Sequence, residues 1–376
     1  MRISYNVTNM YEKALNHQPR LTTNDDELTA RELAYGRRSV ERPRRIARRT
    51  IATIGSLVLG PALILQTDIA WHESQLLDTE PVIHSIAEPL ESEDAGSATV
   101  FIDGFAGQDG SWIAGKMTEA LQAVHDSNVW ALEYDRAGIN ISDIAEKIAT
   151  KASEEGVDTI SLYGYSIGGI ISTEVANFLQ EKYHITVDVI FLDHTPSGAG
   201  SIRPKIRNQG IIATSIIRSF KDIGINIEYS GIARAAVEAT LLNNVSYLQD
   251  STTSLMRDQF LIGVSANSEH NISKLKTDEH PEPVIVYITS ADPETDYMVD
   301  DAKSEKEFKK FAKKAGLPYI VLPVDGAIHS RPDLTLPACK EALSAGHDEV
   351  AAAQDQMFGS FLLSSGTLVR YRVKNP

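Results

Sequence analysis

A serine flanked by glycines is the residue of this sequence whose surroundings most favour chemistry. It is Ser166, in the pattern Gly164-Tyr165-Ser166-Ile167-Gly168. An apolar segment, TISLYG, precedes the serine, and a segment with helical spacing, IISTEVANFL, follows it. A G-x-S-x-G pattern between a strand and a helix holds the serine hydroxyl on a sharp turn as a nucleophile, and small residues are needed where strand and helix approach. The alternative is an ordinary serine that caps the helix N-terminus.

Short apolar segments alternate with helical segments from residue 98 onwards. The apolar segments are continuous rather than alternating with polar residues, which is typical of strands covered on both faces. The helical segments between them predict right-handed crossovers and a parallel sheet. We therefore predict an α/β fold with a mostly parallel, doubly wound sheet. The predicted strands are ATVFIDGF, NVWALEYD, VDTISLYG, VDVIFLDH, PVIVYITS and PYIVLPVD.

This alternation stops between residues 195 and 280. The segment contains apolar patches with helical spacing, such as IIATSIIRSF, but no regular pattern of strands. An insertion of this length, framed by two sheet strands, predicts a helical cap. The core is then expected in residues 98–194 and 281–376.

The serine motif and the alternation of strands and helices together resemble the α/β-hydrolase superfamily. The resemblance covers residues 98–194 and 281–376, with the cap between them. It implies a serine nucleophile, then an acid, then a histidine along the chain, the last two after later strands. It further implies that the histidine removes the proton of the serine while the acid orients the histidine.

The resemblance assigns a histidine and an acid to particular loops. His329 follows the segment YIVLPVD and is the one histidine at the position that the resemblance requires. The acid is expected after PVIVYITS, where Asp292 comes first and Asp296 lies further along the loop. Asp193, in FLDHTP, is the alternative acid because some hydrolases place it one strand earlier. Asp292 could also be a turn residue before proline.

The resemblance also implies an oxyanion hole, a pair of backbone N–H groups that stabilise negative charge on the substrate oxygen. The N–H of Ile167 directly follows the serine, and that of Phe105 belongs to the loop IDGFAGQDGSW. Many relatives begin this loop with His-Gly, whereas this sequence has Asp103-Gly104. Gly164 and Gly168 are expected to make the sharp turn around the nucleophile possible.

The amino-terminal residues differ from the rest of the chain. Residues 1–50 are polar and basic and are expected to form a mobile tail, which ends in RRSVERPRRIARRT. An uncharged segment follows at once, and arginines on one flank of such a segment predict a transmembrane signal anchor over 51–70 with the basic side in the cytoplasm. The alternatives are a cleaved signal peptide and a buried core helix. The hydrolase-like domain would then lie outside the cytoplasm. Residues 71–97 are expected to be a linker, with one short strand at Val82–Ile86.

Composition excludes several classes of function. The 376 residues have a net charge of −15, and the acidic body after residue 50 would repel nucleic-acid phosphates. The single cysteine, Cys339, excludes a disulfide within the chain and a thiolate metal cluster. No H-E-x-x-H motif or phosphate-binding loop is present, so neither a metal nor a cofactor is expected.

Together these features predict a membrane-anchored serine hydrolase. It would cleave a carboxylic ester with an acyl or lipid-like portion through a covalent acyl-enzyme. Two alternatives use the same fold. One is an acyltransferase, in which an alcohol replaces water, and the other is an inactive hydrolase fold that serves as a binding module.

Overall fold

Seven strands form one sheet in the part of the chain that the structure describes, in the order β1-β3-β2-β4-β5-β6-β7. All neighbouring strands pair in parallel except β1, which pairs antiparallel with β3 at one edge. The mostly parallel sheet that the sequence predicts is confirmed. The strands are β1 (Val82–Ala87), β2 (Ser97–Ile102), β3 (Asn128–Glu133), β4 (Thr159–Tyr165), β5 (Thr186–Asp193), β6 (Val284–Ser290) and β7 (Tyr319–Val324).

The structure is a computed structural model, and all the residues that it describes belong to one compact unit, Leu65–Pro376. Residues 1–79 lie outside the described part, as do several shorter segments within the unit. The described residues are 80–90, 96–105, 107–124, 126–211, 253–275, 280–292, 296–327, 329 and 336–365.

The central strands are buried along almost their whole length. Every residue of β6 is buried, and so is every residue of β4 after Thr159. Such strands need apolar side chains on both faces, which explains why their sequences read as continuous apolar segments. The outer strand β7 is only partly buried, with Pro323 exposed.

Helices cover both faces of the sheet, so it is doubly wound as predicted. Ile144, Val175 and Phe308, from α2, α3 and α6, belong to the apolar core on one face. Met117 and Leu343, from α1 and α7, belong to the core on the other. The helices are α1 (Ser111–Val124), α2 (Ile141–Glu155), α3 (Ile167–Tyr183), α4 (Thr253–Ser265), α5 (Ser268–Lys274), α6 (Asp301–Ala315) and α7 (Leu336–Ser365).

The strand predicted inside the linker is present, but it is not part of a free connection. β1 pairs with β3 from Val82 to Ala87 and thus extends the sheet by one strand. The prediction of a linker over residues 71–97 is therefore wrong for Val82–Ala87, because these residues complete the edge of the sheet. The sequence did not reveal this because β1 is only partly buried and its apolar pattern is weak.

The segment predicted as a cap begins with turns and bends over residues 195–203 and is mostly helical in its remaining described residues. Residues 204–211 are helical, and α4 and α5 follow later in the segment. Residues 212–252 lie outside the described part, so the limits of the cap stay a prediction. In the described residues, no helix is both long enough and apolar enough to cross a membrane. The predicted tail over residues 1–50 and the predicted anchor over 51–70 are outside those residues.

Candidate active site

Ser166 lies between the end of β4 and the start of α3, on a backbone conformation that is rare for a residue with a side chain. Its φ of 53° and ψ of −122° lie outside the helical and extended regions. Such strain persists only where the surrounding structure holds it, and it is typical of functional sites. The Ser166 side chain makes no capping hydrogen bond to α3. The ordinary N-cap interpretation therefore does not describe this serine.

The glycines around Ser166 allow the strand and the helix to approach closely. A Cβ atom on Gly164 would lie 2.3 Å from the Cα of Gly169, and one on Gly168 would lie 2.2 Å from the carbonyl oxygen of Ile102. Both distances are too short for real atoms, so no side chain fits at either position. The requirement for small residues that the motif implies is met in this turn.

His329 lies against the serine and is itself buried. Its Nε2 is 3.0 Å from Ser166 Oγ, and its residue is 3% exposed. Two elements far apart in sequence make this contact, since Ser166 follows β4 and His329 follows β7. Because a carboxylate lies on its other side, Nδ1 carries a proton as donor and Nε2 is the acceptor for the serine hydroxyl.

The carboxylate beside His329 is that of Asp296, and the prediction of Asp292 is wrong. Asp296 Oδ2 accepts a hydrogen bond from His329 Nδ1 at 2.7 Å. Its Oδ1 accepts from the backbone N–H groups of Met298 and Val299, which hold the carboxylate in place. Asp292 lies close to the end of β6 but is exposed, so it does not reach the buried imidazole.

Charge and burial act in opposite directions on Asp296. Burial alone would raise the pKa of this carboxyl, but the charge and hydrogen bond of His329, with the Val299 N–H, hold its pKa below the ordinary value. A carboxylate that stays ionised can orient the imidazole and stabilise it when it takes up a proton. Asp296 therefore has the position and the charge state that a triad acid needs.

The alternative acid, Asp193, is engaged elsewhere. Its Oδ2 accepts a hydrogen bond from the hydroxyl of Tyr163 at 2.5 Å, and its Oδ1 lies 2.5 Å from Nδ1 of His194. His194 Nε2 in turn lies 3.5 Å from Oδ2 of Asp301. Burial by itself lowers the pKa of His194, but the hydrogen bond and charge of Asp193 and the charge of Asp301 raise it to about 9. His194 is thus a buried cation beside the catalytic histidine candidate.

Two groups of side chains in the described residues bring three possible metal donors together. One is the buried group of His194, Asp296 and Asp301, and the other is His84, Asp109 and Glu133 near the edge of the sheet. In the first group, Asp296 already accepts from His329, and His194 faces Asp301 as an ion pair. In the second, His84 Nε2 lies 2.9 Å from Glu133. Ion pairing accounts for both groups, and we assign neither to a metal.

The loop proposed for the oxyanion hole lies directly against the nucleophile. A Cβ on Gly104 would be 2.9 Å from the Cβ of Ser166, so only glycine fits there. Asp103 Oδ1 accepts from the Gly104 N–H at 2.6 Å, and the Tyr134 hydroxyl donates to the Asp103 carbonyl at 2.7 Å. Burial raises the pKa of Asp103 to about 7. Asp103, the residue that departs from the His-Gly pattern, thus helps to hold the loop in its conformation through its side chain and its carbonyl oxygen.

A small apolar cavity of about 30 Å³ opens beside the serine. Phe105 and Ile167, the two proposed oxyanion donors, both line it together with Ser166 and His329. An apolar cavity excludes water from the reacting atoms and strengthens electrostatic interactions there. The other residues that line the cavity are Pro196, Ile202, Ile206, Phe260, Met298 and Val299.

The order of these elements along the sheet decides the fold type. The serine follows β4 on a strained turn, the acid follows β6, the histidine follows β7, and the helical insertion begins after β5. The chain has the α/β-hydrolase fold. Its serine, histidine and acid are placed to act together in acyl transfer, and Phe105 and Ile167 line the same cavity.

Solved structures with this hydrolase fold resemble the chain. They include carboxyl esterase 2 of Tuber melanosporum (13% identity, TM-score 0.42, covering 71% of this chain and 79% of that one). The esterase of Pyrobaculum calidifontis is 15% identical, with a TM-score of 0.42 and coverage of 81% and 93%. A lipase-esterase related protein of Clostridium acetobutylicum is 13% identical, with a TM-score of 0.43 and coverage of 72% and 99%.

At these identities and TM-scores, the similarities do not bear on the substrate of this protein. No protein-family model and no curated protein sequence matches the chain.

Sequence reasoning missed three residues near this site. Asp296 is the third acidic residue of its loop in the sequence, but its distance from the end of the strand gave no reason to prefer it to Asp292. His194 directly follows Asp193, and no motif marked its ion pairs. Gln259 lies in the predicted cap, and its contacts with the oxyanion loop depend on tertiary structure alone.

Proposed function

We propose that this protein is a serine hydrolase that cleaves a carboxylic ester. The observation that carries the proposal is the continuous hydrogen-bond chain from Ser166 Oγ through His329 to Asp296, at 3.0 Å and 2.7 Å. The serine end of this hydrogen-bond chain lines a small apolar cavity. Nucleophile, base and orienting acid at these distances are what acyl transfer requires.

The reaction proceeds in two halves. Ser166 Oγ attacks the ester carbonyl carbon as its proton passes to His329 Nε2, and the carbonyl oxygen becomes negatively charged. The Phe105 and Ile167 N–H groups are the proposed donors to that oxygen. The bond to the alcohol then breaks, and the leaving oxygen takes the proton from His329. In the second half, water gives a proton to His329 as it attacks the acyl carbon. The bond to Ser166 Oγ then breaks, Oγ takes the proton back from His329, and the carboxylic acid leaves.

The cavity supports an ester with an apolar portion of limited size next to the carbonyl. The described residues that line it include no charged side chain other than the reacting residues, so a charged acyl group would lose hydration without gaining a partner among them. Esters need less activation of the leaving group than amides, because an alkoxide leaves the tetrahedral intermediate far more readily than an amide anion, and an amine leaves only after its nitrogen has been protonated. The proposal therefore names a neutral carboxylic ester rather than an amide.

The experiment uses the full chain with a fluorophosphonate probe and a series of nitrophenyl esters. We expect labelling and ester cleavage in the wild type, and loss of both in Ser166→Ala and His329→Ala. The matched control is Ser153→Ala, which changes an exposed serine near the C-terminal end of α2, a helix that leads to the start of β4 rather than to the end that Ser166 follows. A folded wild type that is neither labelled nor active on any ester would contradict the proposal and favour a binding module. Adding an alcohol acceptor to the assay detects acyl transfer as an ester product.

We also propose that residues 51–70 anchor the protein in a membrane, with the described domain outside the cytoplasm. The support is the uncharged segment that directly follows seven arginines and one glutamate in residues 37–50. The full chain should then remain with membranes after an alkaline carbonate wash. A chain that begins at residue 71 should be released, and equal release of both chains would contradict the anchor.

A further inference from the structure

Gln259 connects helix α4 to the loop proposed for the oxyanion hole. Its Nε2 donates hydrogen bonds to two backbone carbonyl oxygens of that loop, Gly104 at 3.1 Å and Gly107 at 2.8 Å. The residue is 0% exposed, so water does not compete for these bonds. Along the chain, Gln259 is 155 and 152 residues away from the two acceptors. Both hydrogens of one amide group therefore bind one loop from another part of the fold.

The bond to Gly104 has a direct consequence for the next residue. The carbonyl of Gly104 and the N–H of Phe105 belong to the same planar trans peptide, so they point in opposite directions. A carbonyl that points to Gln259 makes the Phe105 N–H point away from α4. If this peptide rotated, it would lose the bond to Gln259 and the Phe105 N–H would turn away from its place.

Other contacts of the loop do not fix this peptide plane by themselves. The Gly107 N–H also binds the Gly104 carbonyl, at 3.2 Å, but that turn lies within the loop and would move with it. Neither glycine has a side chain to limit rotation of its backbone. The buried amide of Gln259 is a donor on helix α4, outside the loop, and it can therefore hold this peptide in place.

We propose that Gln259 is a positioning residue for the oxyanion hole, holding the Gly104–Phe105 peptide so that the Phe105 N–H faces the substrate oxygen. This inference rests on the proposed ester hydrolysis. Phe260, the next residue of α4, lines the cavity beside Ser166. The same helix thus shapes the cavity and orients an oxyanion donor, so a displacement of α4 would change binding and transition-state stabilisation together.

The test replaces the amide without changing the shape of the side chain. Gln259→Met has a similar length and no donor, so the loop peptide is free to rotate. We expect kcat for a nitrophenyl ester to fall by about 10- to 100-fold, while KM changes by less than about threefold, because the missing interaction acts mainly in the transition state. A boronic acid forms a tetrahedral adduct with the serine. Its dissociation constant should increase by the same factor by which kcat falls.

The neighbouring residue supplies the matched control. Asp258→Asn changes the same helix and removes a charge that accepts the Ile139 N–H at 3.2 Å, yet among the described residues Asp258 makes its hydrogen bonds with Ile139 and Arg257 and not with the oxyanion loop. This variant should keep kcat and boronic-acid binding within about twofold of the wild type. Equal losses in both variants would show that any change in α4 disturbs the site, which would overturn a specific role for the amide.

A second variant covers the case in which Gln259→Met fails to fold. Gln259→Glu keeps the shape, and its side chain donates a hydrogen bond only when it is protonated. Its kcat relative to the wild type should therefore rise as the pH falls from about 8 to about 5. A ratio independent of pH, or a Gln259→Met variant with wild-type kcat, would overturn the inference alone. A wild type without ester cleavage or fluorophosphonate labelling would instead remove the proposed function, and the inference with it.

Discussion

The ring of His194 lies edge-on to the ring of His329, with 5.9 Å between the ring centroids. His194, which pairs with Asp193 and Asp301, thus packs against the histidine that contacts the nucleophile. Its positive charge offsets part of the negative charge that three buried aspartates, the third being Asp296, bring to this region. The charge balance of the site therefore includes His194, Asp193 and Asp301 as well as the serine, histidine and acid.

Asp296→Asn should reduce kcat/KM for an ester by about 10²- to 10⁴-fold. The amide no longer stabilises the imidazolium of His329 and favours the wrong tautomer. The matched controls are Asp292→Asn in the same loop and Asp193→Asn at the alternative position. Asp292→Asn should stay within about threefold of the wild type, because Asp292 is exposed. A larger loss of kcat/KM in Asp292→Asn than in Asp296→Asn would reassign the acid.

His194 should make the free energy of unfolding depend on pH in the alkaline range. Its pKa of about 9 in the folded protein lies above the ordinary value of 6.5. The stabilisation from its proton is therefore complete below about pH 6.5 and is lost as the pH rises through about 9. A shift of this size corresponds to a contribution on the order of 3 kcal/mol.

His194→Gln removes this titration. Urea unfolding at several pH values from about 6 to about 10 should give a shallower alkaline decline in the variant than in the wild type. His347→Gln is the control, because His347 is exposed on α7 and pairs only weakly with Asp348 at 3.4 Å. Parallel curves for His194→Gln and the wild type would mean that His194 is not the buried cation.

Gly164→Ala should destabilise the protein by about 3 kcal/mol or more. The new methyl group would meet backbone atoms of α3 at 2.3 and 2.4 Å, and backbone cannot move aside as a side chain can. Gly115→Ala is the matched control within α1, where the nearest atom would be 3.9 Å away. That control should be neutral or more stable by about 0.5–1 kcal/mol, and thermal unfolding of both variants measures the difference.

Phe260→Ala should enlarge the cavity beside Ser166 and extend the range of esters that the protein accepts. Phe260 is nearly buried and lines the cavity, so its ring limits the space available to the apolar portion of the substrate. We expect kcat/KM to rise for longer acyl chains relative to acetate by about 10-fold. Leu261→Ala is the control because Leu261 is 43% exposed. An unchanged chain-length profile in Phe260→Ala would place the substrate elsewhere.

The local features of the core could be predicted from the sequence. Continuous apolar segments predicted the central strands, because a strand buried on both faces needs apolar residues at every position. The glycines around Ser166 predicted the sharp turn, because their spacing reflects a steric requirement within a few residues. Edge strand β1 was predicted as a strand but not as part of the sheet, since its partly buried pattern says nothing about its partner.

The identity of the acid could not be predicted from the sequence. Several acidic residues follow β6, and the sequence does not say which carboxylate the loop turns inward. That choice depends on Asp296 binding the N–H groups of Met298 and Val299, which places the other carboxylate oxygen against His329. The nearest acidic residue to the strand, Asp292, remains exposed.

The sequence by itself determined the fold class, the nucleophilic turn and the loop of the histidine, because each depends on residues close together in the chain. The tertiary structure decided which aspartate meets His329, that His194 faces Asp301, and that Gln259 reaches the loop of Gly104. These contacts join residues from separate elements. Their geometry follows from how the helices and loops pack on the sheet, and no pattern within one segment records it.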